Sequence, residues 1–439
     1  MRLLLLLSVL YFVVVAGLVG ILESGAEDVF MEATRPDFQK IPIGVFGFRN
    51  GSTQDTSGEK AADILRADLR RSLIFSVADL PKLGIKLNGK WEKDAVDKRV
   101  AQQASEQGIS VLVWGKVSSK EADVLLDGYV YDGGSGDVVA DRRYVGSSSV
   151  LRQMTHRLAD ELVFRYTGEQ GIARTKITFV SEQHGGRELY VMDYDGYGPR
   201  QVTADGFLNL MPKWSRDRRF LIFTSYQERT KQHIDMVEVA TGKRWTLIAL
   251  PGLNITPALS PDGSSLAFAT SQDGNSEVYK MDTTTKALQR LTFHAAGDLS
   301  PSWSPTGREI VFTSDRGGGP QLYIMGADGS NVRRLTYDGD YNAAPAWSPR
   351  GNWIAHVCRT EERQYKLCVV SPDGQKRVRL TSGHGVDDSP SWSPDGRHLV
   401  FSSTGEGKSH IYMINSDGTD LERLTSGGIA HTSPAWSPM

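Results

Sequence analysis

The sequence predicts a small mixed α/β domain followed by a six-bladed β-propeller, closed by strands from the two ends of the array. Three observations predict it. A short phrase returns every 44 or 45 residues through the second half. Each period is built of strand-forming runs between turn residues. The first part lacks this period and alternates helical with strand patterns.

Along the chain, Arg2 precedes an apolar run from Leu3 to Leu22, and Ser24 and Ala26 supply small residues in an A-x-A-like arrangement. This predicts an export signal over residues 1–26. The run is also long enough to span a bilayer uncleaved, so an anchor is the alternative. No second apolar segment of that length follows, which predicts no further membrane embedding.

Residues 28–170 read as the α/β domain. A strand is predicted over 41–48, then an amphipathic helix over 59–72 that places Ala62, Leu65, Leu69 and Leu73 on one face. A second helix is predicted over 93–107, ended by Gly108. Strands follow over 109–117, 122–131 and 137–145, and a third helix over 149–166, ended by Gly168.

The propeller is predicted over 171–439. Its phrase appears as Pro212-Lys213-Trp214-Ser215, Pro257-Ala258-Leu259-Ser260 and Pro301-Ser302-Trp303-Ser304. It returns as Pro345-Ala346-Trp347-Ser348, Pro390-Ser391-Trp392-Ser393 and Pro434-Ala435-Trp436-Ser437. A Pro-x-Gly turn, an apolar strand such as Leu266-Ala267-Phe268, a third strand such as Leu322-Tyr323-Ile324-Met325, and Arg-Leu-Thr complete each period. Residues 177–203 supply strands two to four of a blade without its own first strand, and 434–437 supply a first strand without a blade. Joining them predicts a closed ring with no open edge. The repeated aromatics read as wedge filling between blades.

Cys358 and Cys368 are the two cysteines. The repeat register pairs His356 with Leu367 and Cys358 with Tyr365, leaving Cys368 on the opposite face. No disulfide is expected in that register.

Catalysis finds no support. There is no G-x-S-x-G elbow, no H-E-x-x-H and no clustered acid–base pair. Gly405-Glu406-Gly407-Lys408-Ser409 lacks the first glycine of a phosphate loop and lies between two strands, so it reads as a hairpin turn. The Asp-Gly pairs at Asp195, Asp328, Asp373 and Asp417 read as turns rather than calcium loops. Neither a catalytic residue, a cofactor nor a metal site is assigned. A net charge of −2 argues against nucleic acid as a partner.

Five residues before each tryptophan position stand Asn209, Asn254, Asp298, Asn342, Asp387 and His431. These polar residues at one phase, with Thr256 beside them, are the predicted partner-binding rim of the channel mouth. The competing reading is that they cap turns there. A cation held between Asp298, Asp387 and the amides is a further reading of the same ring.

The export signal, the α/β domain and the six repeats together resemble the TolB family, the periplasmic component of the Tol–Pal system. So do the stretch from Arg174 to Tyr197, the Pro42-Ile43-Gly44-Val45 strand and the terminal Pro434-Ala435-Trp436-Ser437-Pro438. The resemblance covers about residues 28–439. It implies a periplasmic protein that docks the lipoprotein Pal on the propeller mouth and contacts TolA, with other outer-membrane proteins as further candidates. It also implies a part in outer-membrane invagination at cell division and in envelope integrity, a signalling role for residues 28–34, and Pal-facing loops at the channel-mouth positions. A ligand sensor or scaffold unrelated to Pal, and a propeller hydrolase or lyase, are the alternatives.

Overall fold

The computed structural model describes residues 39–51, 55–87, 95–120, 122–183, 185–228 and 231–439. The export segment and residues 28–34 lie outside the described residues. Among the described residues no helix is long and apolar enough to cross a membrane.

The first part is a five-stranded sheet in the order β2-β1-β3-β4-β5. Its elements are β1 (Ile41–Val45), α1 (Ser57–Arg71), β2 (Phe75–Ala78), α2 (Lys98–Glu106), β3 (Val111–Lys120), β4 (Asp123–Asp132), β5 (Val138–Ser147) and α3 (Leu151–Thr167). β1 runs parallel to β2 and β3, and the remaining pairs are antiparallel. The sequence reading missed β2, because four residues give too little alternation to detect. Helix α2 starts later than expected because Asp97 caps it, accepting the amides of Arg99 and Val100 at 3.1 and 3.0 Å.

Helices α1 and α3 cover one face, where Ala62, Leu65, Leu69, Leu158 and Leu162 pack against Val113 and Leu126. Helix α2 covers the other face, against Trp114 and Tyr131. The first of these cores does not stop at the sheet. It continues through Ile172, Ile177, Phe179, Met192 and Tyr194 to Trp436, so one apolar cluster joins the α/β part to the propeller.

The propeller comprises four four-stranded sheets and one eight-stranded sheet. The four-stranded sheets open with β13 (Asn254–Leu259), β17 (Asp298–Trp303), β21 (Asn342–Trp347) and β25 (Asp387–Trp392). The eight-stranded sheet holds two sets of four. One is β9 (Leu208–Trp214), β10 (Phe220–Glu228), β11 (Lys231–Glu238) and β12 (Arg244–Ile248). The other is β6 (Lys176–Gln183), β7 (Gly186–Asp193), β8 (Arg200–Gln201) and β29 (His431–Trp436). Among the described residues a single parallel position, Arg187 opposite Leu208, joins the two sets. β29 pairs antiparallel with β6, so the C-terminal strand closes the sheet begun at residue 176, as the repeat phase predicts.

The repeated phrase has a local logic. In Ser-Pro-Asp-Gly the serine hydroxyl donates to the aspartate and accepts the amide five residues on; Ser393 does so with Asp395 at 2.5 Å and His398 at 2.9 Å. The tryptophans link repeats. The Trp303 indole donates to the carbonyl of Ala258 at 3.0 Å and that of Trp392 to Ala346 at 2.9 Å, each in the preceding repeat. The Arg-Leu-Thr threonines accept the amide of the third strand, as Thr336 does from Leu322 at 2.9 Å.

The cysteines correct the sequence reading. In the structure His356 faces Cys368, Val357 faces Leu367 and Cys358 faces Lys366, one residue away from the expected register. A one-residue slip turns every side chain to the other face. Both sulfurs then share a face on diagonal positions, and Cys358 and Cys368 are bonded, with Cα atoms 5.8 Å apart.

Candidate binding channel

The first strand of every repeat carries a β-bulge. Its two residues oppose a single residue of the second strand, and that residue is Phe223, Phe268, Phe312, Phe401 or Phe179, with His356 in the remaining repeat. The second bulge residue is always the repeat's proline. Without an N–H it cannot sit in a regular ladder, but it costs nothing at a bulge. The residue before it is left-handed each time: Met211, Thr256, Ser300, Ala344, Ser389 and Ser433 have φ between 49° and 56°. None is glycine, so each holds a conformation costing on the order of 1 kcal/mol. The six bulges converge on one cavity of about 150 Å³, joined there by Lys213 and Asp388. A wider funnel at the tryptophan level lies along the same strands.

The predicted rim falls elsewhere. Asn209, Asn254, Asp298, Asn342 and Asp387 are buried, none more than 3% exposed, and are engaged within the ring. Asn254 donates to the Leu250 carbonyl at 2.7 Å and Asn342 to that of Asp338 at 2.9 Å, each reaching back four residues. This is the turn-capping arrangement. Asn209 donates to Asp205 at 3.0 Å. Asp298 accepts from Arg316 at 2.7 Å, and burial pushes its carboxyl above the usual range. Asp387 is paired with the buried Lys366 at 3.1 Å, so Asp298 and Asp387 already have protein cations and are not a vacant pair for a metal. His431 is half-buried, its ring 5.7 Å from that of His410, and burial with that neighbour lowers it to about 4. Thr256 alone of the seven lines the axial cavity, its hydroxyl accepting the Ser300 amide at 3.3 Å.

What the loops expose instead is apolar. Immediately before the buried polar residues stand Leu208, Leu253 and Val386, all exposed, and Ile429 lies beside His431. Phe293 and Tyr337, just after Arg-Leu-Thr, are 74% and 70% exposed. Arg290 and Arg334 sit over their rings at 4.7 and 4.8 Å. The clue in the sequence was the hydrophobic residue before Asn209, Asn254 and Asp387, which a search for polar side chains passes over.

A second feature lies where the α/β part meets the propeller. Asp68 accepts from the Tyr194 hydroxyl at 2.6 Å and meets His156 Nδ1 at 2.7 Å, all three buried. Asp195 is held by Arg152, and Arg71 pairs with Glu422 at 2.6 Å. Ligand atoms of Asp68, His156 and Asp195 approach within 4.8 Å, a spacing a metal ion could use. The arginines already supply positive charge there, and the cluster reads as an ionic joint between the two parts.

Comparison with known proteins follows the same outline. A family model described as the TolB β-propeller domain matches residues 163–439. A protein from Desulfosudis oleivorans named Tol-Pal system protein TolB is 34% identical over 274 residues, 60% of each chain. A TolB homolog from Chlorobium chlorochromatii is 32% identical over 248 residues, 56% of this chain and 55% of that one. The chain thus spans less than two thirds of the length of these curated relatives. The crystal structure of TolB from Acinetobacter baumannii superposes with a TM-score of 0.78 at 27% identity, covering 91% of this chain and 97% of that one.

Proposed function

The chain belongs to the TolB β-propeller family, and from that premise we propose that it is the periplasmic protein-binding component of a Tol–Pal envelope complex. In this reading the eight-stranded sheet counts as two blades, giving six. Residues 1–26 are the export signal, 28–170 the α/β domain and 171–439 the propeller. The propeller mouth docks the lipoprotein Pal and the protein links it to TolA, in support of outer-membrane invagination and envelope integrity. Its work is binding rather than catalysis, in keeping with the family.

One observation carries the docking surface: the exposed apolar and aromatic side chains on the loops entering the innermost strands. Exposed aromatics at a single face are the anchors that protein interfaces bury. Thr256 and His431 stand as contacts at this mouth, while the five buried polar residues hold the loops in place beneath it.

Calorimetric titration of the intact protein with Pal from the same organism tests this. Phe293→Ser and Leu253→Ser are expected to weaken binding at least about tenfold, the loss of a small hot spot, with the melting temperature unchanged. Asn342→Ala is expected to lower the melting temperature instead. Absence of binding at micromolar Pal, or binding indifferent to both rim changes, would overturn the reading.

A further inference from the structure

Between the proline and tryptophan positions, the six innermost strands carry Lys213, Ala258, Ser302, Ala346, Ser391 and Ala435. Five are small. The lysine alone brings charge, and it lines both the axial cavity and the funnel next to it, which places it at the waist of the channel. Among the described residues Lys213 makes no ion pair and no side-chain hydrogen bond. Burial, with no opposing carboxylate, pushes its ammonium below the usual range. Ser300, Ser389 and Ser433 line the same cavity, and their hydroxyls likewise have no partner among the described residues. The acid at this cavity, Asp388, is exposed and accepts the Ser389 amide at 2.7 Å.

We propose that the axial cavity binds a carboxylate, with Lys213 as its counter-charge and the serine hydroxyls as hydrogen-bond donors. A desolvated ammonium without a partner is held in its less favourable state, and an anion brought beside it restores the lost stabilisation. The unpaired ammonium sets the sign of the ligand. A volume of about 150 Å³ admits a carboxylate with a short stem. That carboxylate comes either as a free solute or on the side chain of a docked polypeptide; the second source rests on the docking reading above.

The test uses the intact protein with lysine labelled at Cε and observed by NMR. Lys213→Ala identifies the resonance, and alanine already occupies this phase in three other repeats, so the fold tolerates it. Acetate exchanged for chloride at constant ionic strength is expected to shift the Lys213 signal saturably and raise its titration midpoint. No saturable shift would overturn the proposal. So would a fall of the acetate-free midpoint in Asp388→Asn, since that would mean Asp388 already pairs with the lysine. A tenfold loss of Pal affinity in Lys213→Ala would assign the carboxylate to the polypeptide, and unchanged affinity with saturable acetate binding would assign it to a free solute. Failure of Pal to bind at all would leave the acetate result standing alone.

Discussion

At the residue scale, the ring of polar side chains changes meaning once burial is known. Asn254, Asn342 and their counterparts look like a ligand rim by type and phase, yet their polar atoms are spent holding loops against the preceding turn. The buried histidines make a related point. His356 occupies the phase that carries phenylalanine in the other repeats, and burial lowers it to about 3, as it lowers His431 to about 4. Such groups stay neutral when folded and take up a proton when unfolded. Stability is therefore complete above about pH 6.5 and falls as pH drops toward the folded values, by about 1.4 kcal/mol per pH unit for each histidine. Melting curves between pH 6.5 and 4 are expected to decline, and less steeply in His356→Phe; an identical slope in that variant would refute the assignment. The disulfide supplies a second check at this scale. Cys358 and Cys368 enclose a short loop, and reduction is expected to cost roughly 2–3 kcal/mol by denaturant titration. Detection of free thiols in the denatured, unreduced protein would contradict it.

At the scale of elements, the bulged first strand is the unit that makes a ring from these repeats. The left-handed residue and proline of the bulge stand opposite the buried second-strand phenylalanine, while the following tryptophan reaches the preceding repeat. The strand β29 does this for β6 across the whole length of the propeller sequence. The Trp436 backbone N–H donates to the Ser391 hydroxyl at 3.0 Å and the Ala435 carbonyl accepts the Trp214 indole at 3.1 Å, so one strand contacts the repeats on both sides. Deleting residues 431–439 exposes the β6 edge and empties the Trp436 site. The expected outcome is a melting temperature lower by roughly 10 °C or more, or loss of a cooperative transition. An unchanged calorimetric trace would refute the closure.

At the scale of the molecule, the α/β part and the propeller share a core and an ionic joint rather than a linker. Tyr194 on the propeller donates to Asp68 on α1, which also holds His156 on α3. Removing the carboxylate in Asp68→Ala leaves two buried polar groups without their acceptor. A cost of about 2–4 kcal/mol is expected, from one to two unsatisfied groups. Scanning calorimetry is expected to show one transition for the parent protein and two for the variant. A single, unshifted transition in both would mean that the joint does not couple the two parts. The basic and acidic residues of this joint are scattered through the sequence from Asp68 to Glu422, and no spacing rule gathers them.

Much of the architecture was legible in the residues because it is periodic. The Trp phase located the first strands, the Arg-Leu-Thr phase the fourth, and the blade at 177–203 without a first strand called for the one at 434–437, which the structure extends back to His431. The candidate site was far less legible. Phase says which residues are equivalent but not what the neighbouring repeat packs against them, and burial, pairing and exposure are set by that neighbour. Hence five of the polar positions lie buried and paired within the ring, and a single lysine among alanines and serines stands at the axial cavity. Strand register is equally a tertiary matter. One residue of slip, invisible to a count of hydrophobic positions, turned Cys368 to the face of Cys358 and joined them.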